Sequence, residues 1–240
     1  MRRFRDFLLE AKVEYKQELS VERAAELIKA HCTDALKHAD IPLVSGKKKA
    51  TAAAYLLQGE LGQRESANTS NHYTIIMDEV LPALGYPKRS GSIILGNYAN
   101  LDYVEDYGTV YAILPFDGSP IGVCPRFDIW HTQVNIGASF DNLERWNEFF
   151  EGAGVPDYTF ADMVTYLEEV LEDPYDSNFA KVSDVFVKGK VEKQLRAAFD
   201  PKHAGFQLAA TKNIYTRFAN APRELWIGAK CVAVRLYDGT

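Results

Sequence analysis

Apolar residues recur at helical spacing through the first third of the chain. Phe4, Phe7, Leu8, Ala11 and Tyr15 fall on one face of an N-terminal helix. Ser20 is an N-cap candidate for a second helix that presents Ala24, Leu27, Ile28, Ala35 and Leu36 inward. Ile41 to Gly46 reads as a short strand running into a turn, Lys47 to Gln58 as a helix, and the polar run Gly59 to Ser70 as a loop. A further helical stripe, Tyr73, Ile76, Met77, Val80 and Leu84, stops before Gly85-Tyr-Pro87. From Ser90 the period shortens. Ser92 to Leu95, Val110 to Leu114 and Ile121 to Val123 are short β-branched or aromatic runs bounded by turn formers, with Phe116-Asp-Gly-Ser-Pro120 as the turn between the last two. Residues 139–152 and 160–172 read as acidic amphipathic helices, the second opened by a capping box from Thr159 to Asp162, and Leu225 to Ile227 and Cys231 to Leu236 as closing strands. The expected fold is α+β, with an N-terminal helical extension over residues 1–40 and the main domain over 41–240.

Composition narrows the class. With 47% apolar and 25% charged residues, the 240-residue chain is rich enough to build a core and is neither disordered nor collagen-like. No apolar run approaches the ~20 residues that span a bilayer, and the basic N-terminus lacks the apolar centre of a secretory signal. The expectation is a cytoplasmic protein with no membrane partner. Cys32, Cys124 and Cys231 are too scattered for a disulfide framework or a zinc site and read as buried thiols. Net charge is −6, unevenly spread: residues 1–49 hold eleven Lys and Arg against eight acids, whereas residues 141–176 hold Arg145 against eleven acids. The second stretch repels nucleic acid, so a nucleic-acid partner is disfavoured; a DNA-mimicking role would rest on this asymmetry alone.

Three motifs fall short of their chemistry. Ser45-Gly-Lys-Lys-Lys49 lacks the earlier glycine and the following Ser or Thr of a phosphate loop. Asp128-Ile-Trp-His131 has no second ligand pair at matching spacing, so no metal is expected. His31, His38, His72 and His203 stand alone, without a nucleophile elbow.

One constellation remains. The strand at Pro42-Leu43-Val44-Ser45-Gly46, the segment Lys88-Arg-Ser-Gly-Ser-Ile-Ile-Leu-Gly-Asn-Tyr98, the short helix with Val104-Glu-Asp-Tyr-Gly108, the strand Val110 to Pro115 and the closing Pro222-Arg-Glu-Leu-Trp-Ile-Gly-Ala-Lys-Cys-Val-Ala-Val234 follow one another. Together they resemble the mono-ADP-ribosyltransferases, over about residues 41 to 237. The resemblance implies a split β-sheet and NAD as substrate. It also implies three diagnostic elements: an Arg on a first strand, a Ser-Thr-Ser strand, and a catalytic Glu entering a late strand. Glu224 matches the last, where a carboxylate beside the ribose stabilises oxocarbenium character. The first two are altered: Val44 or Ser45 stands at the Arg position and Gly96-Asn97-Tyr98 at the Ser-Thr-Ser position. Substitutes in a rearranged site would be Arg64 and Arg89 for the phosphates, Ser90 or Ser92 for the hydroxyl, and Tyr98 or Trp226 against the nicotinamide.

The front end carries a second resemblance. Met1-Arg-Arg-Phe-Arg-Asp-Phe-Leu-Leu-Glu-Ala-Lys12, with Leu8-Leu-Glu10, is similar to the leaders of proteins packaged into T4-like phage heads. Asn68 to Thr74, Tyr86 to Ser90, Ile121 to Pro125 and Asp128 to Trp130 look like segments of proteins from T4-like marine and cyanobacterial phages. These resemblances imply a head-packaged virion protein or one working in the host cytoplasm. Its implied activity is transfer of ADP-ribose from NAD to a host protein. The alternative is a transferase fold without catalysis, used for contacts with virion or host proteins.

Overall fold

The structure is a computed structural model that describes residues 15–47, 50–59, 71–134, 142–218 and 220–237. Nine strands form one open sheet: β1 (Tyr15–Leu19), β2 (Leu43–Lys47), β3 (Ala54–Gln58), β4 (Ile93–Gly96), β5 (Thr109–Pro115), β6 (Pro120–Val123), β7 (Gln207–Ala210), β8 (Glu224–Ile227) and β9 (Lys230–Tyr237). Their order is β1-β3-β9-β5-β2-β4-β8-β6-β7, and every neighbouring pair is antiparallel. Ten α-helices accompany them in the described residues: α1 (Val21–His31), α2 (Thr33–Leu36), α3 (His72–Val80), α4 (Leu101–Glu105), α5 (Leu143–Gly152), α6 (Phe160–Glu172), α7 (Phe179–Ser183), α8 (Val191–Ala198), α9 (Pro201–Ala204) and α10 (Thr211–Arg217).

Strand alternation divides the apolar residues between two cores. Leu225 and Ile227 of β8, with Ile93 and Leu95 of β4 and Ile113 of β5, join the core under α1, α2 and α10. Trp226, one residue out of phase, joins the other core with α3, α5, α6 and α8, whose Ile76, Trp146, Leu167 and Leu195 are buried. Trp226 is fully buried, donates its indole N–H to the Pro87 carbonyl at 3.0 Å, and lies flat on Gly122 of the neighbouring strand. A Cβ at Gly122 would come within 2.0 Å of the indole; only glycine leaves room for the ring.

The joint between β2 and β4 is thin. Its ladder is a single residue pair, Val44 with Gly96, supplemented by the Ser45 hydroxyl donating to the Ile94 carbonyl at 3.1 Å. The five strands on one side and the four on the other are continuous, with registers of three to six residues. On one face the joint is covered by α4 and the residues after it, through Val44, Val104, Tyr107 and Val110.

Most expected elements form. Ser20 caps α1 by accepting from the Arg23 amide, and Thr159 caps α6 by accepting from the Asp162 amide while its hydroxyl reaches the Asp162 carboxylate. Four readings change. Lys47 to Gln58 is not a helix: β2 continues to Lys47, and the alanine-rich run beyond Ala50 ends in β3, which is paired on both edges. Tyr15 opens a strand, and β1 extends the same sheet by pairing with β3. Leu36 is 48% exposed instead of facing inward. Residues 179–217, for which no elements were anticipated, hold α7 to α10 and β7. The expected N-terminal helical stripe up to Ala11, the leader-like Leu8-Leu-Glu10, Arg64 and the interior of the 59–70 loop lie outside the described residues. Among the described residues no helix is long and apolar enough to cross a membrane.

Candidate functional site

Glu224 opens β8 and is 9% exposed. Residues 124–130 wrap its backbone: the Cys124 amide donates to the Glu224 carbonyl and the Glu224 amide to the Arg126 carbonyl, each at 2.9 Å. This wrap positions the carboxylate. Its Oε2 accepts from the Ile129 amide at 3.1 Å, and its Oε1 faces Arg89 Nη1 at 2.9 Å. Arg89 is 6% exposed and comes from the loop after α3, where the Asp78 carboxylate grips the Arg89 and Ser90 amides. Tyr73 of α3 lies under the guanidinium, 5.9 Å from it.

Asp128 completes the cluster. It caps the 3-10 turn Ile129–His131, its Oδ1 accepting from the Trp130 amide at 3.0 Å, and is 3% exposed. Burial, reinforced by the Glu224 charge, pushes its carboxyl up to about 8, against the opposing pull of the Trp130 amide and Arg89. Burial and the carboxylates of Asp128, Asp106 and Glu224 also raise the Tyr107 hydroxyl. Burial and Glu224 push the Cys124 thiol, 3.1 Å from the Thr132 hydroxyl, up to about 12. For Arg89, burial favours the neutral form, but Glu224 and Tyr73 outweigh it and the guanidinium is held more firmly protonated than usual.

The distribution of unsatisfied atoms sets this cluster apart. Among the described residues seven buried side-chain N or O atoms lack an aligned hydrogen bond, and five sit here: Arg89 Nε and Nη1, Glu224 Oε1, Asp128 Oδ2 and Asn100 Oδ1. Arg89 Nη1 and Glu224 Oε1 attract at 2.9 Å yet are not aligned as a hydrogen bond, so charge is compensated while hydrogen-bonding capacity stays open. Asn100 is anchored alongside, its amide donating to the Phe127 and Arg223 carbonyls. Phe127, the residue before Asp128, belongs to an aromatic ladder: Tyr103 stacks on Phe127 at 4.7 Å and Phe127 meets His131 at 5.1 Å, with Tyr103 45% exposed.

The residues anticipated from the sequence fare differently. The structure joins Glu224 to Arg89, but as an ion pair. Ser92 is buried and donates to the Lys88 carbonyl, closing a local turn, and the Ser90 amide is held by Asp78. Tyr98 is 44% exposed, whereas Trp226 is sealed in the core against Tyr86 and Phe206, out of reach of solvent. Asn97, at the altered Ser-Thr-Ser position, staples the approach to β8: its amide donates to the Phe218 and Ala221 carbonyls and its oxygen accepts from the Arg223 amide. Arg223 turns away from Glu224, toward the Cys124 and Pro125 carbonyls. Asp128, Asn100, Tyr107 and Cys124 were not anticipated as partners of Glu224. The one available signal is Asp128 itself, a carboxylate set between Phe127 and Ile129-Trp130. No protein-family model, curated protein or solved structure matches the chain.

Proposed function

We propose that the chain is an ADP-ribosyltransferase-like fold of phage origin that has given up NAD turnover and works through contacts with virion or host proteins. Support for the fold kinship comes from topology. Val44 pairs with Gly96, and Gly96 with Glu224, so the three positions that the resemblance assigns to Arg, Ser-Thr-Ser and Glu stand side by side across β2, β4 and β8. That row crosses the sheet where it is joined by one residue pair, which suits a split sheet.

One observation carries the loss of NAD turnover: the buried Arg89 to Glu224 ion pair at 2.9 Å. A transferase site needs its carboxylate for the ribose and a separate guanidinium for the phosphates; here the buried guanidinium is committed to the carboxylate. Ser45, at the Arg position, is 4% exposed and engaged with Ile94. The open acceptor on Glu224 fits a ribose hydroxyl, but among the described residues no guanidinium is left free beside it as a phosphate clamp, which supports the loss of NAD turnover. The partner-binding half of the reading draws on the acidic helices, flanked by Tyr158 and Tyr175 at 81% and 96% exposure.

Incubation with labelled NAD and host lysate, beside Glu224→Gln, tests the proposal together with thermal melts at millimolar NAD. The expected results are no Glu224-dependent label and no rise in midpoint, because a ligand bound only by the folded state must raise it. Glu224-dependent label would overturn the proposal.

A further inference from the structure

The sheet face toward α2 carries a notch. Val44, Ala112 and Val234 stand directly opposite one another across β2, β5 and β9, so the three share a face, and an alanine between two valines leaves a dip in it. The chain above does not fill the dip. Ala35 of α2 and Ala39 just after it meet Ala112 at a cavity of about 170 Å³, which Ile28 of α1 and Tyr215 of α10 also line. Leu36, next in sequence to Ala35, does not close the gap: it lines the cavity while standing 48% exposed.

Lining and burial say what the space takes. Tyr215 is the one lining residue with a polar side chain. Its hydroxyl is out of solvent, so the wall it offers is the ring, on which His38 stacks at 5.0 Å. A buried water needs about two to four polar partners, and no lining side chain among the described residues supplies one. The floor is sealed, with Ala112, Ile113 and Leu114 at most 8% exposed, whereas Leu36 and Ala39 at the rim are exposed, so a molecule enters beside α2. An apolar cavity of ~150 Å³ stays dry and takes up benzene; this one has room for a single ring of that size.

We propose that this cavity binds a small neutral apolar molecule, a single hydrocarbon ring with at most a short alkyl arm. Burial of its surface holds the ligand, since the lining side chains offer it no hydrogen bond. The alanines set its size: a larger side chain at Ala35, Ala39 or Ala112 would occupy the same space. The lining shares no residue with the Glu224 cluster, and the site neither follows from the transferase-like reading nor depends on it.

Toluene and hydroquinone, added to the full-length protein, test this. At a tenfold excess over its Kd, toluene should raise the melting midpoint by about 3–5 °C. Hydroquinone has a hydroxyl at each end of the ring, so one must enter the lining unpaired, and it should bind at least about tenfold more weakly than toluene. Nuclear Overhauser contacts from bound toluene should reach the methyl groups of Ile28, Leu36 and Leu114. Ala112→Ile fills the cavity from the floor and Ala39→Leu from the rim, and each should weaken toluene binding at least about tenfold. Ala39 is exposed, so Ala39→Leu keeps the test in force if Ala112→Ile disturbs the sheet. The proposal is overturned by a midpoint that toluene leaves unmoved, by contacts to other methyl groups, by hydroquinone binding as tightly as toluene, or by undiminished binding in the folded filled variants. Label from NAD bears on the earlier reading alone.

Discussion

At Asp128 a single proton couples the cluster to stability. Its carboxyl is raised to about 8 in the fold, by burial first and the Glu224 charge second, against about 4 when unfolded. Between those values the native state holds one more proton than the unfolded state, so stability falls as pH rises from about 4 through 8 and levels off beyond. Asp128→Asn mimics the protonated form. It should remove that slope, leaving the variant more stable than wild type at pH 8, by less at pH 5, and nearly equal to it below about pH 4 in urea titrations. A slope unchanged by the substitution would mean that Asp128 is ionised in the fold. Arg89 makes the complementary case. Its side chain is 7% exposed and that of Glu224 12%, so Arg89→Met strands a buried carboxylate and should cost about 3–5 kcal/mol. Adding Glu224→Gln removes the stranded charge and should restore a large part of that loss. If the double variant is no more stable than Arg89→Met, the pair is not what Arg89 supports.

Among the secondary elements, β2 and β4 meet at the weakest point of the sheet, and the connections around it compensate. Asn97, 3% exposed, makes three side-chain hydrogen bonds that fasten Phe218, Ala221 and Arg223 and so aim β8. Asn97→Ala leaves two carbonyls and one amide without these partners and should destabilise by about 2–4 kcal/mol at roughly 1 kcal/mol or more per bond. Amide exchange should quicken at Glu224 and Leu225 while the centre of β9 stays protected. Uniform acceleration would argue against local anchoring. The elements that the sequence made legible were those with local signatures: the capped starts of α1 and α6, the β-branched runs of β5 and β6, and the closing pair β8 and β9. β3 was not, because its approach through Thr51-Ala-Ala-Ala54 carries helical propensity, and only long-range pairing with β1 and β9 overrides it. The site was half legible. Glu224 and Arg89 could be named from residue type and motif context, but their meeting is set by the β4 to β8 register and the Asp78 grip on the Arg89 loop. Asp128 was weighed only as a metal ligand beside His131, because the Glu224 that faces it comes from the far end of the chain.

At the scale of the molecule, the acidic stretch is only partly answered by the segment that follows it. Residues 141–176 carry eleven acids against Arg145, and α6 ends in Glu168, Glu169 and Glu172, at the helix terminus where negative charge is least welcome. The chain that follows answers this. The Glu168 carboxylate accepts from the Gly189 and Val191 amides at the start of α8, where an anion is favourable, and Lys188 reaches Glu172 at 3.2 Å. Lys188 and Glu172 are both about 60% exposed, and such pairs contribute about 0–1 kcal/mol. They do not cancel the repulsion within the acidic stretch. Screening should therefore stabilise the protein: between 20 mM and 300 mM NaCl the Debye length falls from roughly 20 Å to under 10 Å, and the melting midpoint should rise by about 2–4 °C, equivalent to ~1 kcal/mol for a chain of this size. A midpoint that falls with salt would show instead that surface ion pairs such as Arg196 with Glu79 outweigh the repulsion. The same field bears on the partner contact proposed above. A protein that docks on the acidic helices must bring positive charge, and its affinity should weaken over the very salt range in which the free chain grows more stable.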